Sequence, residues 1–228
     1  MERGRSGPLG TATSELTIRP YEQADRAAVL RIAADTAAFG APVEVFLDDR
    51  RLFCDAVYRY YVDYEPEHAW VAVAAAEVTG FLVGCADTRR RDRCIARRIA
   101  PAAAVNLLRG RYRVGRRTVR HACAEIAAAL RREFPAVDLA AYPAHLHINL
   151  DARWRGQGAG RGLMEAYLRQ LRALAVPGVH LRTTSLNTAA VALYTRLGFE
   201  LLDARATRLW AQVAEGYVEN RCYGLRLG

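Results

Sequence analysis

Between residues 150 and 162 the chain reads Arg155-Gly156-Gln157-Gly158-Ala159-Gly160-Arg161, a turn rich in glycine and arginine. Before it, Ala144 to Leu150 alternates as a strand should. After it, Leu163, Met164, Tyr167, Leu168, Leu171 and Leu174 fall on one face of a helix. A strand, a glycine turn and a helix in that order make an anion site, because glycines let a ligand approach the backbone and a helix start offers unpaired N–H groups at its positive end. Phosphate is the guest this predicts. The dinucleotide fingerprint G-x-G-x-x-G does not fit, since its last position is Arg161 counting from Gly156 and Leu163 counting from Gly158. Downstream, Asn187 and Tyr194 lie seven residues apart on one expected helix, about two turns, and so face the same side. On the strand before the loop stand His145 and His147. They read as packing histidines or as a metal pair, and no third ligand lies near them in sequence, so no metal is expected.

The elements that must position these residues follow from periodicity and punctuation. Leu16 to Arg19 reads as a short strand, Glu22 to Ala38 as a helix, and Leu47 to Tyr64 as a second helix carrying Phe53, Val57, Tyr60, Tyr61 and Tyr64. Ala69 to Val73 and Val78 to Cys85 read as a hairpin. From Thr88 to Tyr142 the pattern turns helical, with Val119, Cys123, Ile126, Leu130 and Phe134 forming an apolar stripe on one face of a helix that ends before Pro135, and the arginine-rich stretch 89–120 is expected to be an exposed, mostly helical insertion rather than part of the sheet. Val179 to Thr183, Phe199 to Asp203 and Tyr223 to Leu227 complete the strands, and Asn187 to Leu197 is a helix stopped by Gly198. The class is α/β or α+β with a mixed sheet. One domain over residues 15–228 is expected, with an insertion over about 89–142 and a flexible tail over 1–14.

Composition narrows the chemistry. All 33 basic residues are Arg, so Schiff-base lysine chemistry and the G-x-x-x-x-G-K-[ST] phosphate loop are excluded. The five cysteines are scattered with no C-x-x-C pair, which fits a reducing cytoplasm. No apolar stretch approaches the length of a membrane span or follows Arg3 and Arg5, so neither a membrane nor a signal peptide is expected. The net charge of +9 is local, because residues 89–120 hold twelve arginines against Asp92 alone, leaving −2 elsewhere. Such a field attracts an acidic partner, or solubilises a helical excursion. Nucleic acid is disfavoured, since Tyr112 is the sole aromatic among these arginines.

Arg155-x-x-Gly158-x-Gly160 resembles the Q/R-x-x-G-x-G/A motif of the GNAT superfamily of N-acetyltransferases, which holds the pyrophosphate of coenzyme A on these N–H groups. Asn187-Thr-Ala-Ala-Val-Ala-Leu-Tyr194-Thr-Arg-Leu-Gly198-Phe199 resembles that family's second signature. The resemblance spans about residues 15–228 apart from the insertion, and implies a mixed, mostly antiparallel sheet flanked by helices and acetyl-CoA as co-substrate. It implies that the backbone of Ile148, Asn149 and Leu150 pairs with the pantetheine arm, with an N–H near Leu150 on the thioester carbonyl. Arg155, Gly156, Gln157, Gly158, Ala159, Gly160 and Arg161 cradle the pyrophosphate. Asn187 bonds the cofactor arm and Tyr194 protonates the departing thiolate. More narrowly, residues 60–67 and 143–149, with the helical insertion, resemble bacterial stand-alone relatives of the acetyltransferase-like C-terminal domain of O-GlcNAcase.

The general base is not assigned by this resemblance. Several members place Glu five residues before the Asn, and that position is Arg182, which cannot accept a proton. Others use the strand before the loop, but alternation points His145 and His147 with Asn149 rather than with Leu146 and Ile148, the parity expected of the base. Two functions from different classes follow. One is an N-acetyltransferase acting on an amine, small or peptidic. The other is an acetyl-CoA-binding protein without transfer activity that engages an acidic partner through its arginines.

Overall fold

The computed structural model describes residues 15–228, so the expected tail over 1–14 lies outside the described residues. In chain order the elements are β1 (Thr17–Pro20), α1 (Arg26–Asp35), α2 (Arg50–Val57), α3 (Arg59–Asp63), β2 (Ala69–Ala74), β3 (Glu77–Cys85), α4 (Thr88–Cys94), α5 (Ala100–Leu108) and α6 (Arg116–Leu130). The second half holds β4 (Ala144–Leu150), α7 (Ala159–Ala173), β5 (Gly178–Thr184), α8 (Thr188–Arg196), β6 (Glu200–Ala206) and β7 (Glu219–Arg226). The seven strands form one sheet in the order β1-β2-β3-β4-β5-β7-β6. Every neighbouring pair is antiparallel except β4 and β5.

That exception matters. Although β4 and β5 have seven residues each, they pair only at Ala144–Val179 and His145–His180. Beyond these two rungs the strands part, and the sheet opens in its middle. Two cores hold the halves together. Val29, Ile32, Phe53, Tyr61, Phe81 and Val83 pack between the sheet and α1 to α3, and Leu163, Met164, Tyr167 and Leu171 of α7 pack on the opposite face against Leu82, Leu146 and Leu181.

Two features of the helices, of which the first departs from the periodicity, have local causes. Residues 47–64 form two helices rather than one. Asp49 starts α2, its carboxylate accepting the Leu52 N–H at 2.8 Å, and the chain bends at Tyr58. A straight helix would spread Tyr58, Tyr60 and Tyr61 around its circumference, and the bend buries all three. The second is the rotation of α6, a helix as its periodicity predicts, whose apolar stripe faces outward. Thr118, His121 and Ala128 are its buried residues, whereas Val119, Cys123, Ile126 and Leu130 are exposed, and Phe134 lies beyond the helix end. Asp48 sets this rotation: its carboxylate accepts both the N–H and the hydroxyl of Thr118 at 2.9 Å, and its own N–H donates to the Thr118 oxygen at 3.0 Å. His121 then seats against Phe46 at 4.6 Å. Thr118 is buried, and in this orientation both its N–H and its hydroxyl keep a partner in Asp48, which a helix turned the other way would leave unsatisfied.

Candidate active site

The Asp151 N–H donates to the Thr79 carbonyl at 2.9 Å, which fixes the hydrogen-bonding phase of β4 against β3. Antiparallel alternation therefore turns the N–H and C=O groups of Ile148 and Leu150 to the opposite edge, facing the gap where β5 has diverged. The side chain of Asn149 points to the α1 side. Its Nδ2 donates to Thr36 Oγ1 at 2.7 Å, its Oδ1 accepts from the Tyr58 hydroxyl at 3.0 Å, and Thr36 in turn donates to the Ile32 carbonyl at 2.7 Å. This chain clamps β4 at the depth of the gap. Sequence reasoning missed Tyr58 and Thr36, which carry no motif and lie 91 and 113 residues from Asn149.

At the mouth of the gap Gly156 and Gly158 adopt φ of +76° and +88°, a region L side chains avoid. Gly158 is the N-cap of α7, and the first intrahelical bond runs from the Gly162 N–H to the Gly158 carbonyl at 3.0 Å. The N–H groups of Ala159, Gly160 and Arg161 thus begin the helix without intrahelical partners. Gly160 is buried, and a Cβ there would lie 3.3 Å from both Leu150 Cδ1 and Leu193 Cδ2, so its lack of a side chain lets α7 close onto β4 and α8. Arg161 pairs with Glu165 at 2.7 Å, and Gln157 Nε2 donates back to the Arg153 carbonyl at 3.1 Å. Arg155 has no carboxylate partner among the described residues, and its guanidinium lies 3.4 Å from the Leu150 carbonyl beside Gly40.

Across the gap, Asn187 is the N-cap of α8, and its side chain makes no capping bond. Tyr194 is buried with its ring 6.0 Å from Phe199 and 6.3 Å from Tyr223. Its hydroxyl has no hydrogen-bond partner among the described residues, and burial pushes the phenol pKa up, so it is a neutral donor at pH 7.

The histidines behave as alternation requires. His145 and His147 share the face of Asn149, with His145 Nδ1 at 3.2 Å from the Tyr61 hydroxyl and its ring stacked 5.4 Å from His180. Burial, followed by the Arg91 charge, depresses His147 to about 3. Burial likewise depresses His180 to about 4, and holds His145 far below its ordinary value. All three are neutral at pH 7 and weak as bases. The group of three metal-capable side chains found among the described residues is Glu65, Glu67 and His68, which includes neither His145 nor His147. Arg182 is exposed on β5 opposite Cys222.

These depressed values predict how stability responds to pH. Above about pH 7 the histidines are neutral in both folded and unfolded chains and contribute no slope. Below about 6.5 the unfolded chain takes up protons that the folded chain refuses, so stability falls toward pH 4 by up to about 1.4 kcal/mol per pH unit for each histidine. Thermal melts between pH 8 and pH 5 should show the melting temperature level at first and then dropping. A level melting temperature throughout would contradict the burial of neutral imidazoles.

Known proteins share this fold. Residues 41–199 match the acetyltransferase (GNAT) family. The solved structure of SsHAT is 33% identical and covers 93% of this chain and 98% of its own, at a TM-score of 0.70. The fold also matches yncA of Salmonella typhimurium, solved with its cofactor acetyl-CoA, at 17% identity and a TM-score of 0.53, covering 93% of this chain and 94% of that one. Mycothiol acetyltransferase of Nocardiopsis dassonvillei is 46% identical over 56 residues, a stretch that spans 25% of this chain and only 17% of that protein. With a matched segment that takes in the β4–β5 opening, the glycine loop and the Asn187–Tyr194 helix, this chain belongs to the acetyltransferase (GNAT) family and is a transferase of that type.

Proposed function

We propose that the chain binds acetyl-CoA in the β4–β5 gap and transfers its acetyl group to a primary amine, either a small molecule or a histone-like or other peptide lysine. The observation that carries this reading is the parting of β4 from β5 directly above a cradle of unpartnered helix N–H groups. A pantetheine arm fits there as a substitute strand, and the positive φ of Gly156 and Gly158 keeps side chains out of the space a pyrophosphate needs. Residues 155–161 hold the pyrophosphate, the backbone edge of Ile148 to Leu150 holds the arm, and Asn187 steadies it. The Leu150 N–H faces the position of the thioester oxygen and stabilises charge developing there. Tyr194 donates its proton to the departing sulfur. No carboxylate stands at Arg182 and the neighbouring histidines are poor acceptors, so the amine loses its proton to water.

The same vacancy of bases favours a second reading, an acetyl-CoA-binding protein without transfer activity whose arginines engage an acidic partner. Residues 15–228 form a single domain in either case, with the insertion over about 89–142, and the five free thiols suit the cytoplasm. The narrower likeness to the bacterial relatives of the O-GlcNAcase C-terminal domain rests on residues 60–67 and 143–149, two segments that meet here through the Tyr61 hydroxyl and His145. Release of the coenzyme A thiol in the presence of acetyl-CoA and a panel of amines and histone-type peptides separates the two functions.

A further inference from the structure

The insertion combines two features that no part of the acetyl-transfer site uses. Eleven of its twelve arginines over 89–120 are exposed, Arg91 being half-buried over the Tyr61 ring. Alongside them, residues 105–134 hold eight of the twelve exposed large hydrophobic side chains found among the described residues. Leu108 is 87% exposed at the end of α5, and on α6 Leu130, Ile126 and Val119 are 80%, 63% and 53% exposed. At 100° per residue Val119, Cys123, Ile126 and Leu130 form a continuous stripe nearly opposite the buried Thr118, His121 and Ala128, and Arg116 and Arg120 border it on one side. Scattered apolar side chains need no explanation, but a helical stripe of them bordered by cations with no carboxylate partner among the described residues marks an interaction surface.

We infer that this face of α6 docks on an anionic lipid bilayer surface, with the aliphatic stripe entering the boundary between headgroups and acyl chains and Arg116 and Arg120 pairing with lipid phosphates. A lipid surface complements both features at once. A second copy of the chain would cover the stripe, yet would bring another local charge of +11 against the first. Nucleic acid would neutralise the arginines and leave Val119, Ile126, Leu130 and Leu108 in water. An acidic protein would be expected to meet aromatic anchors, whereas the exposed stripe on α6 is wholly aliphatic apart from Cys123. Across residues 89–134 the carboxylates are Asp92, Glu125 and Glu133, too few to offset fourteen arginines. No described helix is long and apolar enough to cross a membrane, and adsorption requires none to do so. The expectation of no membrane partner rested on the lack of a span and does not bear on surface docking.

The test is co-sedimentation of the full chain with vesicles of phosphatidylcholine alone or mixed with phosphatidylglycerol, at low and high salt. Binding to the phosphatidylglycerol vesicles should be at least tenfold tighter at low salt and should weaken as salt rises. Ile126→Ser with Leu130→Ser, and separately Arg116→Gln with Arg120→Gln, should each weaken it by roughly tenfold. Both pairs are exposed and outside the acetyl-CoA cleft, so melting temperature and acetyl-CoA affinity should stay at wild-type values. Equal binding to both vesicle types, or binding indifferent to the loss of Ile126 and Leu130, overturns the inference. So does displacement from vesicles by polyglutamate or short duplex DNA at matched charge, or a dimer in solution that Ile126→Ser with Leu130→Ser dissolves.

Discussion

Gly158→Asp should weaken acetyl-CoA binding, read by calorimetry, on the order of a hundredfold or more. Two effects add. Residue 158 sits at φ +88°, where a non-glycine residue costs about 1–2 kcal/mol. The new carboxylate also stands at the start of α7 beside the expected pyrophosphate, and like charges about 4 Å apart near a protein surface repel by about 4 kcal/mol before solvent and salt reduce it. Each 1.4 kcal/mol is tenfold in affinity. A Cβ at this position meets nothing within 4 Å, so the fold should survive and the melting temperature should fall only slightly. Gly158→Ala separates the two effects, since it shares the backbone cost and carries no charge, and should lose roughly tenfold. Unchanged affinity in Gly158→Asp would remove the pyrophosphate from this loop.

Tyr194→Phe should lower turnover by roughly tenfold to several hundredfold while acetyl-CoA affinity stays close to wild type. The ring contacts to Phe199 and Tyr223 survive the change, and the hydroxyl gives up no hydrogen bond within the described protein, so a structural role would be barely disturbed. The loss should therefore appear in kcat rather than in KM. Because burial keeps the phenol protonated, the rate in the wild type should rise with pH toward the pKa of the acceptor amine, with no fall near neutrality from Tyr194 itself. Wild-type turnover in Tyr194→Phe, on an amine the parent acetylates, would exclude Tyr194 as the proton donor.

The parts of the site that could be read along the chain are those made by short segments. The glycine loop is a strand, turn and helix within about thirty residues, and Asn187 and Tyr194 share one helix, so their relation depends on local geometry alone. The side-chain parity of His145, His147 and Asn149 was likewise fixed by alternation along β4. What lay out of reach depends on partners far apart in sequence. The parting of β4 from β5 is set by how two strands separated by α7 meet at only two rungs. The clamp from Tyr58 through Asn149 to Thr36 joins α1 and the bend between α2 and α3 to β4. The outward turn of the α6 stripe lay out of reach for the same reason, because periodicity identifies an apolar face without saying which way it turns, and the contact with Asp48 comes from 70 residues away.

Thiol release from acetyl-CoA, followed with and without an amine and matched to the mass of the acetylated product, tests the account most directly. The account predicts amine-dependent release with at least one member of the panel, in molar step with the product, and release near background when amine is withheld. Retention of acetyl-CoA with no acetylated product from any amine or peptide would contradict transfer and leave a protein that only binds the cofactor.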